Sequence, residues 1–231
     1  MTQTHKVVLS WSSGKDSAWA LHVLRQRPDT EVVGLLTTVN AEFDRVAMHA
    51  VRRELLRAQA EVAELGLIEV ELPWPCSNEA YEVRMRGALE ACAARGADAV
   101  AFGDLFLEDV RRYREERMRG TGLGVLFPLW GLDTRALSRE MVSAGMRAIV
   151  TCVDPKQVDA SIAGREYDDA LLDVLPAWVD PCGERGEFHS FVHAGPMFEH
   201  ALPVRCGEVV ERDGFVFADV VRAGAGAPAL A

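Results

Sequence analysis

Ser12-Ser13-Gly14-Lys15-Asp16-Ser17 follows a short apolar run, Lys6–Trp11, and precedes a stretch with helical spacing, Asp16–Gln26. Small residues at such a junction let an anion approach the backbone closely. The first turn of a helix leaves N–H groups without intrahelical partners and carries the positive end of the dipole, which suits a phosphate. Lys15 adds a full charge. Asp16 or Ser17 can cap the helix, and the Ser17 hydroxyl can reach a phosphate oxygen. A plain strand-to-helix turn with good capping residues is the competing reading. The segment is neither a Walker A loop, whose upstream glycine is missing, nor the GxGxxG of dinucleotide binders.

Two further segments carry chemistry. In Phe102-Gly103-Asp104, Gly103 permits a sharp exit from a strand and Asp104 can cap the next helix, with Glu108 one turn on along the same face. Arg111, Arg112 and Glu115 read as a solvated face with Glu/Arg pairs. In Pro181–Phe191, two glycines flank charged residues, and alternation from Phe188 to Phe191 suggests a strand. Glu184 and Glu187 near His189 can bind Mg²⁺, orient an ammonium or act as an acid/base pair. A metal site built from His189, His193 and the two glutamates is a weaker alternative, because the spacing of a structural zinc site is absent. An exposed turn followed by an edge strand is the plain reading. Cys76 and Cys182 read as structural thiols near these segments, with a cavity-lining role the alternative.

The elements that must position these residues alternate. Strands are expected at Lys6–Trp11, Glu31–Val39, Leu67–Leu72, Asp98–Phe102 and Val125–Leu129. Helices are expected at Asp16–Gln26, Val46–Leu65, Asn78–Arg95 and Leu105–Arg119. This alternation predicts an α/β fold with a doubly wound parallel sheet, and ligands in such sheets collect beyond the carboxyl ends of the strands. After a boundary near Trp130-Gly131 the pattern changes. A helix at Thr134–Ala144, a strand at Arg147–Val153, a helix at Asp168–Val179 and a hairpin over Arg205–Val221 turning at Asp213-Gly214 predict a smaller α+β domain. The expected division is 1–130, 131–222 and an unstructured tail, 223–231.

Composition narrows the function. The 231 residues carry 25 Lys+Arg against 35 Asp+Glu, a net charge of −10, which disfavours nucleic acid and anionic membranes as partners. No apolar run is long enough to span a membrane. The first residues, MTQTHKVVLSW, show no signal-peptide pattern. Five widely spaced cysteines with no CxxC pair read as reduced thiols, so a cytoplasmic setting is expected.

LSWSSGKDSAWAL resembles the pyrophosphatase loop, SGGxDS, of the ATP-pyrophosphatase (PP-loop, adenine nucleotide alpha hydrolase-like) superfamily. Ser13 stands where that pattern has its first glycine, which a negative φ or a slight relaxation of the loop would accommodate. SSGKDS, GDLFLEDVRRYRE, Pro128-Leu129-Trp130 and GERGEFHSF followed by Gly195-Pro196-Met197-Phe198 occur in order over about residues 6 to 200. Together they resemble the diphthine–ammonia ligase-like branch, as do Met48-His49 and Gln59-Ala60. The resemblance implies a Rossmann-like nucleotide-binding domain and an ATP-dependent, amide-forming ligase. Such an enzyme adenylates a carboxylate, releases pyrophosphate and transfers ammonia or another amine. It also implies that ATP contacts Ser12, Ser13, Gly14, Lys15, Asp16, Ser17, His49, Gly103 and Asp104. Lys15, Asp16, Glu184, Glu187 and His189 would be catalytic, with Asp16 a ligand of Mg²⁺. The acceptor is a small molecule or a protein side chain, and a homo-oligomer is left open. A tRNA-modifying relative and a non-catalytic ATP or AMP sensor are the alternatives.

Overall fold

The computed structural model describes residues 4–46 and 50–224. The first half is built on a six-stranded sheet. Strands β1 (His5–Ser10), β2 (Thr30–Asn40), β4 (Leu67–Leu72), β5 (Ala99–Ala101) and β6 (Gly124–Leu126) run parallel in the order β4-β2-β1-β5-β6. The two-residue β3 (Arg45–Val46) pairs antiparallel with the end of β2. Helices α1 (Lys15–Arg25), α2 (Arg53–Val62), α3 (Asn78–Ala94) and α4 (Glu108–Met118) connect the strands.

Strand side chains alternate between faces, and the apolar residues follow. Val7, Leu9, Leu35, Val39, Ala99 and Ala101 join one core with α1 and α2. Val8, Leu36, Val100 and Phe102 join a second with Leu89 and Cys92 of α3 and Met118 of α4. Helices thus cover both faces, as the alternation predicts.

The second half adds α5 (Thr134–Ser143), β7 (Arg147–Val153), α6 (Asp169–Val174), β8 (Phe188–Ala194), β9 (Val204–Arg212) and β10 (Phe215–Arg222). Its strands form an antiparallel sheet, β8-β7-β10-β9. The β9–β10 turn has Asp213 at φ 52° and Gly214 at φ 81°, the positive pair that a two-residue hairpin requires. The first core continues into this sheet through Ile149, Val150, Phe191 and Val192. Strand β8 lies at a sheet edge, but the Ser12–Ser17 loop covers it. Val192 N–H donates to Ser13 O at 3.0 Å, and Ser190 Oγ accepts from Lys15 N–H at 3.2 Å.

Several expected boundaries move, each for a local reason. Val46–Leu65 is not one helix. Val46 pairs with β2, and α2 begins only at Arg53, after Arg45 and Arg52 have both reached Asp219 of β10. Helix α6 stops at Val174 instead of reaching Val179, because Leu175 precedes Pro176 and a residue before proline avoids the α region. Strand β6 ends at Leu126, short of Pro128. Helix α4 starts at Glu108 rather than Leu105, since Leu105 N–H is bonded to Glu184 and its carbonyl to Gly131 N–H. The expected tail lies, from residue 225 on, outside the described residues.

Candidate nucleotide site

At the carboxyl end of β1 the loop holds itself in shape. Ser17 Oγ donates to Gly14 O at 3.0 Å and accepts from Ser12 N–H at 3.3 Å. Gly14 is the N-cap of α1 in extended conformation, with no side-chain cap, so neither Asp16 nor Ser17 takes the expected capping role. The first intrahelical bond runs from Ala18 N–H to Gly14 O. The N–H groups of Lys15, Asp16 and Ser17 therefore lack intrahelical acceptors, and among the described residues only that of Lys15 is taken, by Ser190. Two amides and a dipole end remain for an anion.

Ser13 does not take the negative φ that would accommodate a serine. It has φ 70°, the left-handed region that favours glycine, and its hydroxyl is buried without a hydrogen-bond partner. Ser13→Gly is expected to stabilise the protein by about 1 kcal/mol, since a non-glycine residue in this region costs about that much. Thermal unfolding should report a melting temperature higher by roughly 2–4 °C. An unchanged or lower value would mean that the loop carries no strain at Ser13.

Gln59 of α2, fully buried, braces the loop from behind. Its Oε1 accepts from Trp11 Nε1–H at 3.0 Å, and its Nε2 donates to Ser13 O at 3.1 Å and Val192 O at 2.6 Å. One amide thus links Trp11 at the end of β1, the loop and β8.

A cavity of about 200 Å³ opens over the loop, lined by Ser12, Gly14, Lys15, Asp16, Ser17, Gly103, Asp104, Arg114, Cys182, Glu184, His189 and Ser190, among others. Residues from the two halves of the chain meet in it. Gly103 is required by a close approach. A Cβ there would lie 2.9 Å from the Asp16 carbonyl carbon and 3.0 Å from Ser17 N. Asp104 does not cap α4, whose N-cap is Leu107 without a side-chain bond; its carboxylate lies 3.5 Å from Arg114 Nε instead. Glu184 Oε1 accepts from Leu105 N–H at 2.8 Å, which ties the second motif to the loop after β5. Gly183, at φ 65°, leaves no room for a side chain, since a Cβ would stand 2.6 Å from Phe188 O.

The electrostatics are those of crowded acids around one cation. The Lys15 side chain is 3% exposed, and its Nζ lies 2.8 Å from Asp16 Oδ2 and faces the rings of Phe188 and Tyr167 at 5.6 and 6.0 Å. Burial is the largest single influence and works against its ammonium, but Asp16, with Cys182 and Glu184 adding to it, turns the net direction upward. Burial pushes the Asp16 and Asp104 carboxyls up, opposed by Lys15 and Arg114 respectively. Glu184 is pushed up to about 7, by burial first, with Asp16 and Asp104 adding to it against the Leu105 hydrogen bond. His189 is pushed down to about 4 by burial and by Lys15, so its imidazole is neutral near pH 7. Burial raises the Cys182 thiol far above neutrality, which excludes a thiolate there.

Asp16 Oδ1 and Asp104 Oδ2 are buried without hydrogen-bond partners among the described residues. Among the described residues no three His, Cys, Asp or Glu side chains gather into a complete metal cage. This donor set fits Mg²⁺, which uses one or two carboxylates and takes its remaining ligands from phosphate and water.

Not every expected residue reaches the cavity. Glu187 is buried beneath it, with Oε1 accepting from Asp180 N–H and Oε2 from Arg185 N–H, both at 2.9 Å; it braces the turn that carries Glu184. His193 pairs with Glu166 at 3.2 Å. Cys76 lines neither this cavity nor its neighbour and packs against the second core. His49 lies outside the described residues.

A larger cavity, about 530 Å³, adjoins the first and shares Ser10, Ser12, Phe102 and Arg114 with it. Its inner wall includes Trp11, Leu36, Thr38, Val46 and Leu72, and its outer wall Tyr81, Met85, Tyr113 and Arg117. The sequence reading missed this space. Its signal was Arg111, Arg114 and Arg117 at spacing three, a single helical face. Those guanidiniums lie over Phe127 and Trp130, Phe102, and Tyr113 respectively, although Arg111 does make the expected pair with Glu115 at 2.8 Å.

Residues 5–125 match the diphthamide synthase N-terminal domain, and residues 133–223 match the diphthamide synthase C-terminal domain. The chain belongs to the diphthamide synthase family. Relatives in this family include the diphthine--ammonia ligases of Schizosaccharomyces pombe, 30% identical over 49% of this chain, and Bos taurus, 31% identical over 49%. An argininosuccinate synthase from Rhodococcoides fascians is 26% identical over 73% of the chain. The alignments cover 20%, 45% and 48% of these three relatives, so the chain spans at most about half of their length. Among the described residues of this diphthamide synthase family member, no helix is long and apolar enough to cross a membrane.

Proposed function

We propose that the protein is an ATP-dependent ligase that adenylates a carboxylate and converts it to an amide with ammonia or another amine. The observation that carries this is the meeting, in one cavity, of a loop with unpaired amides and a buried lysine, and of a glutamate whose carboxyl titrates near neutrality. The names of the matched ligases support the same reading.

In this reading residues 1–130 bind the nucleotide and residues 131–222 supply the acceptor side. The nucleoside occupies the larger cavity and the β- and γ-phosphates the smaller one. Lys15 and the amides of Asp16 and Ser17 stabilise charge gathering on the departing pyrophosphate. Asp16 and Asp104 would hold Mg²⁺, which neutralises phosphate charge when bound. An acceptor carboxylate oxygen bonds to the α-phosphorus as the bond to the β-phosphate oxygen breaks, and that electron pair leaves with pyrophosphate. The amine nitrogen then bonds to the acyl carbon while the acyl–oxygen bond breaks and AMP departs. Glu184 takes up the proton that the amine must lose. Neutral His189 can hydrogen-bond the incoming amine without repelling it as a cation would. Because both halves line the cavity, the reactants are held together, and most of the entropic cost of their encounter is met by binding.

The test is pyrophosphate release from ATP with magnesium, ammonium and a panel of small and protein-borne carboxylates. AMP and pyrophosphate should appear in equal amounts, dependent on the acceptor. Conversion to ADP and phosphate would overturn the adenylation, and tight nucleotide binding with no turnover under any acceptor would favour a sensor.

A further inference from the structure

Arg114 stands where the two cavities meet, and the reading above leaves it without a task. Among the described residues it is the only arginine that lines both. Its guanidinium is held over the Phe102 ring, 5.0 Å from carbon to centroid. Its Nε lies 3.5 Å from Asp104 Oδ2, too far for a well-formed hydrogen bond. Both atoms are shielded from solvent, and neither has a hydrogen-bond partner among the described residues. The side chain as a whole is 31% exposed on the cavity side, so its outer nitrogens are open to a ligand, while a shielded Nε–H without a good acceptor is costly and favours a ligand that completes it.

The row on α4 explains how the side chain is aimed. Arg111 is fixed over Phe127 and Trp130 and bonded to Glu115, while Arg117 is held by Glu82 at 2.5 Å. Among the described residues Arg114, between them, contacts Asp104 and the Phe102 face. A planar fork suits the oxygens of a phosphate, and a lysine in its place would offer one point charge.

We propose that Arg114 binds the α-phosphate, the group that must bridge a nucleoside in the larger cavity and a diphosphate in the smaller, and so holds the phosphorus that the acceptor attacks. This rests on the nucleotide reading given above. As the acceptor oxygen bonds to phosphorus and the bond to the β-phosphate oxygen breaks, the guanidinium remains on the non-bridging oxygens while charge shifts toward pyrophosphate.

Calorimetric titration with AMP and with adenosine separates this role from a structural one, because the ligands differ only in that phosphate and no turnover is needed. Arg114→Gln is expected to weaken AMP about 10–100-fold, as loss of a charge-assisted hydrogen bond should, with adenosine unchanged. Arg114→Lys should recover part of the loss. Adenosine binding doubles as the check that each variant is folded. Equal weakening of both ligands, or no weakening of AMP, would overturn the assignment. If the wild-type protein binds neither ligand, the nucleotide reading itself fails and this inference falls with it. Wild-type binding with a non-selective variant would sink the inference alone.

Discussion

Lys15→Ala is expected to lower pyrophosphate release by roughly 10²–10³-fold, the usual loss when one preorganised donor to a developing anion is removed from a water-poor site. The size follows from where the charge is held. The Lys15 side chain is almost fully buried, with Nζ beside Asp16 and two aromatic rings, so it acts in a low-dielectric setting and needs little reorganisation as charge moves to the leaving group. Because Asp16 keeps its ammonium charged, the effect should persist across the neutral pH range. A pure binding role would raise KM for ATP alone, whereas a role in the transition state lowers kcat, so steady-state rates over a range of ATP concentrations decide. The variant also leaves Asp16 without its counter-ion among neighbouring acids, and its melting temperature should fall less at low pH, where Asp16 can be protonated. A variant that is folded and releases pyrophosphate at the wild-type rate would remove the loop from the chemistry.

Period-two and helical spacing made the α/β plan legible, because alternate residues such as Val7, Val8 and Leu9 separate cleanly onto two covered faces. Leu67–Leu72 and Arg147–Val153 are the strands that spacing predicts, end to end. The losses came where tertiary contacts compete with local signals. Capping residues were visible at Asp16, Ser17 and Asp104, yet none caps its helix: Asp16 pairs with Lys15, Ser17 bonds the Gly14 carbonyl, and Asp104 stands ahead of a helix whose N-cap is Leu107. Glu184 and Glu187 look equivalent in GERGE. Only the fold separates them, turning one toward Leu105 at the cavity and the other onto the amides of its own turn. Arg114 was hidden for the opposite reason, because RRYREER reads as solvated helix until Phe102, just past β5, and Phe127, just past β6, are brought beneath it.

Glu184→Gln separates catalysis from stability, with opposite signs. The carboxyl titrates at about 7 instead of its ordinary 4.5, because burial and nearby Asp16 disfavour the anion. A proton acceptor is active when deprotonated, so kcat/KM for the amine, counted as its unprotonated form and reporting the enzyme that carries the acyl adenylate, should rise with pH through about 7 and then level. The amide cannot accept that proton. The rising limb should vanish and kcat fall by roughly 10²–10⁴-fold. Stability moves the other way. A carboxyl with a raised folded value favours the native state most below about pH 4.5, and that contribution is lost as pH rises through about 7. Above neutrality the wild-type protein carries a poorly solvated carboxylate that glutamine replaces with a neutral group of the same shape, still able to accept from Leu105 N–H. The variant should therefore match the wild type in denaturant unfolding near pH 4 and exceed it by on the order of 2–3 kcal/mol near pH 8. A limb near pH 7 that survives the substitution would assign the base to another group. Equal stabilities at pH 8 would mean that solvent reaches the carboxylate, and the reason for expecting it to work near neutrality would be gone.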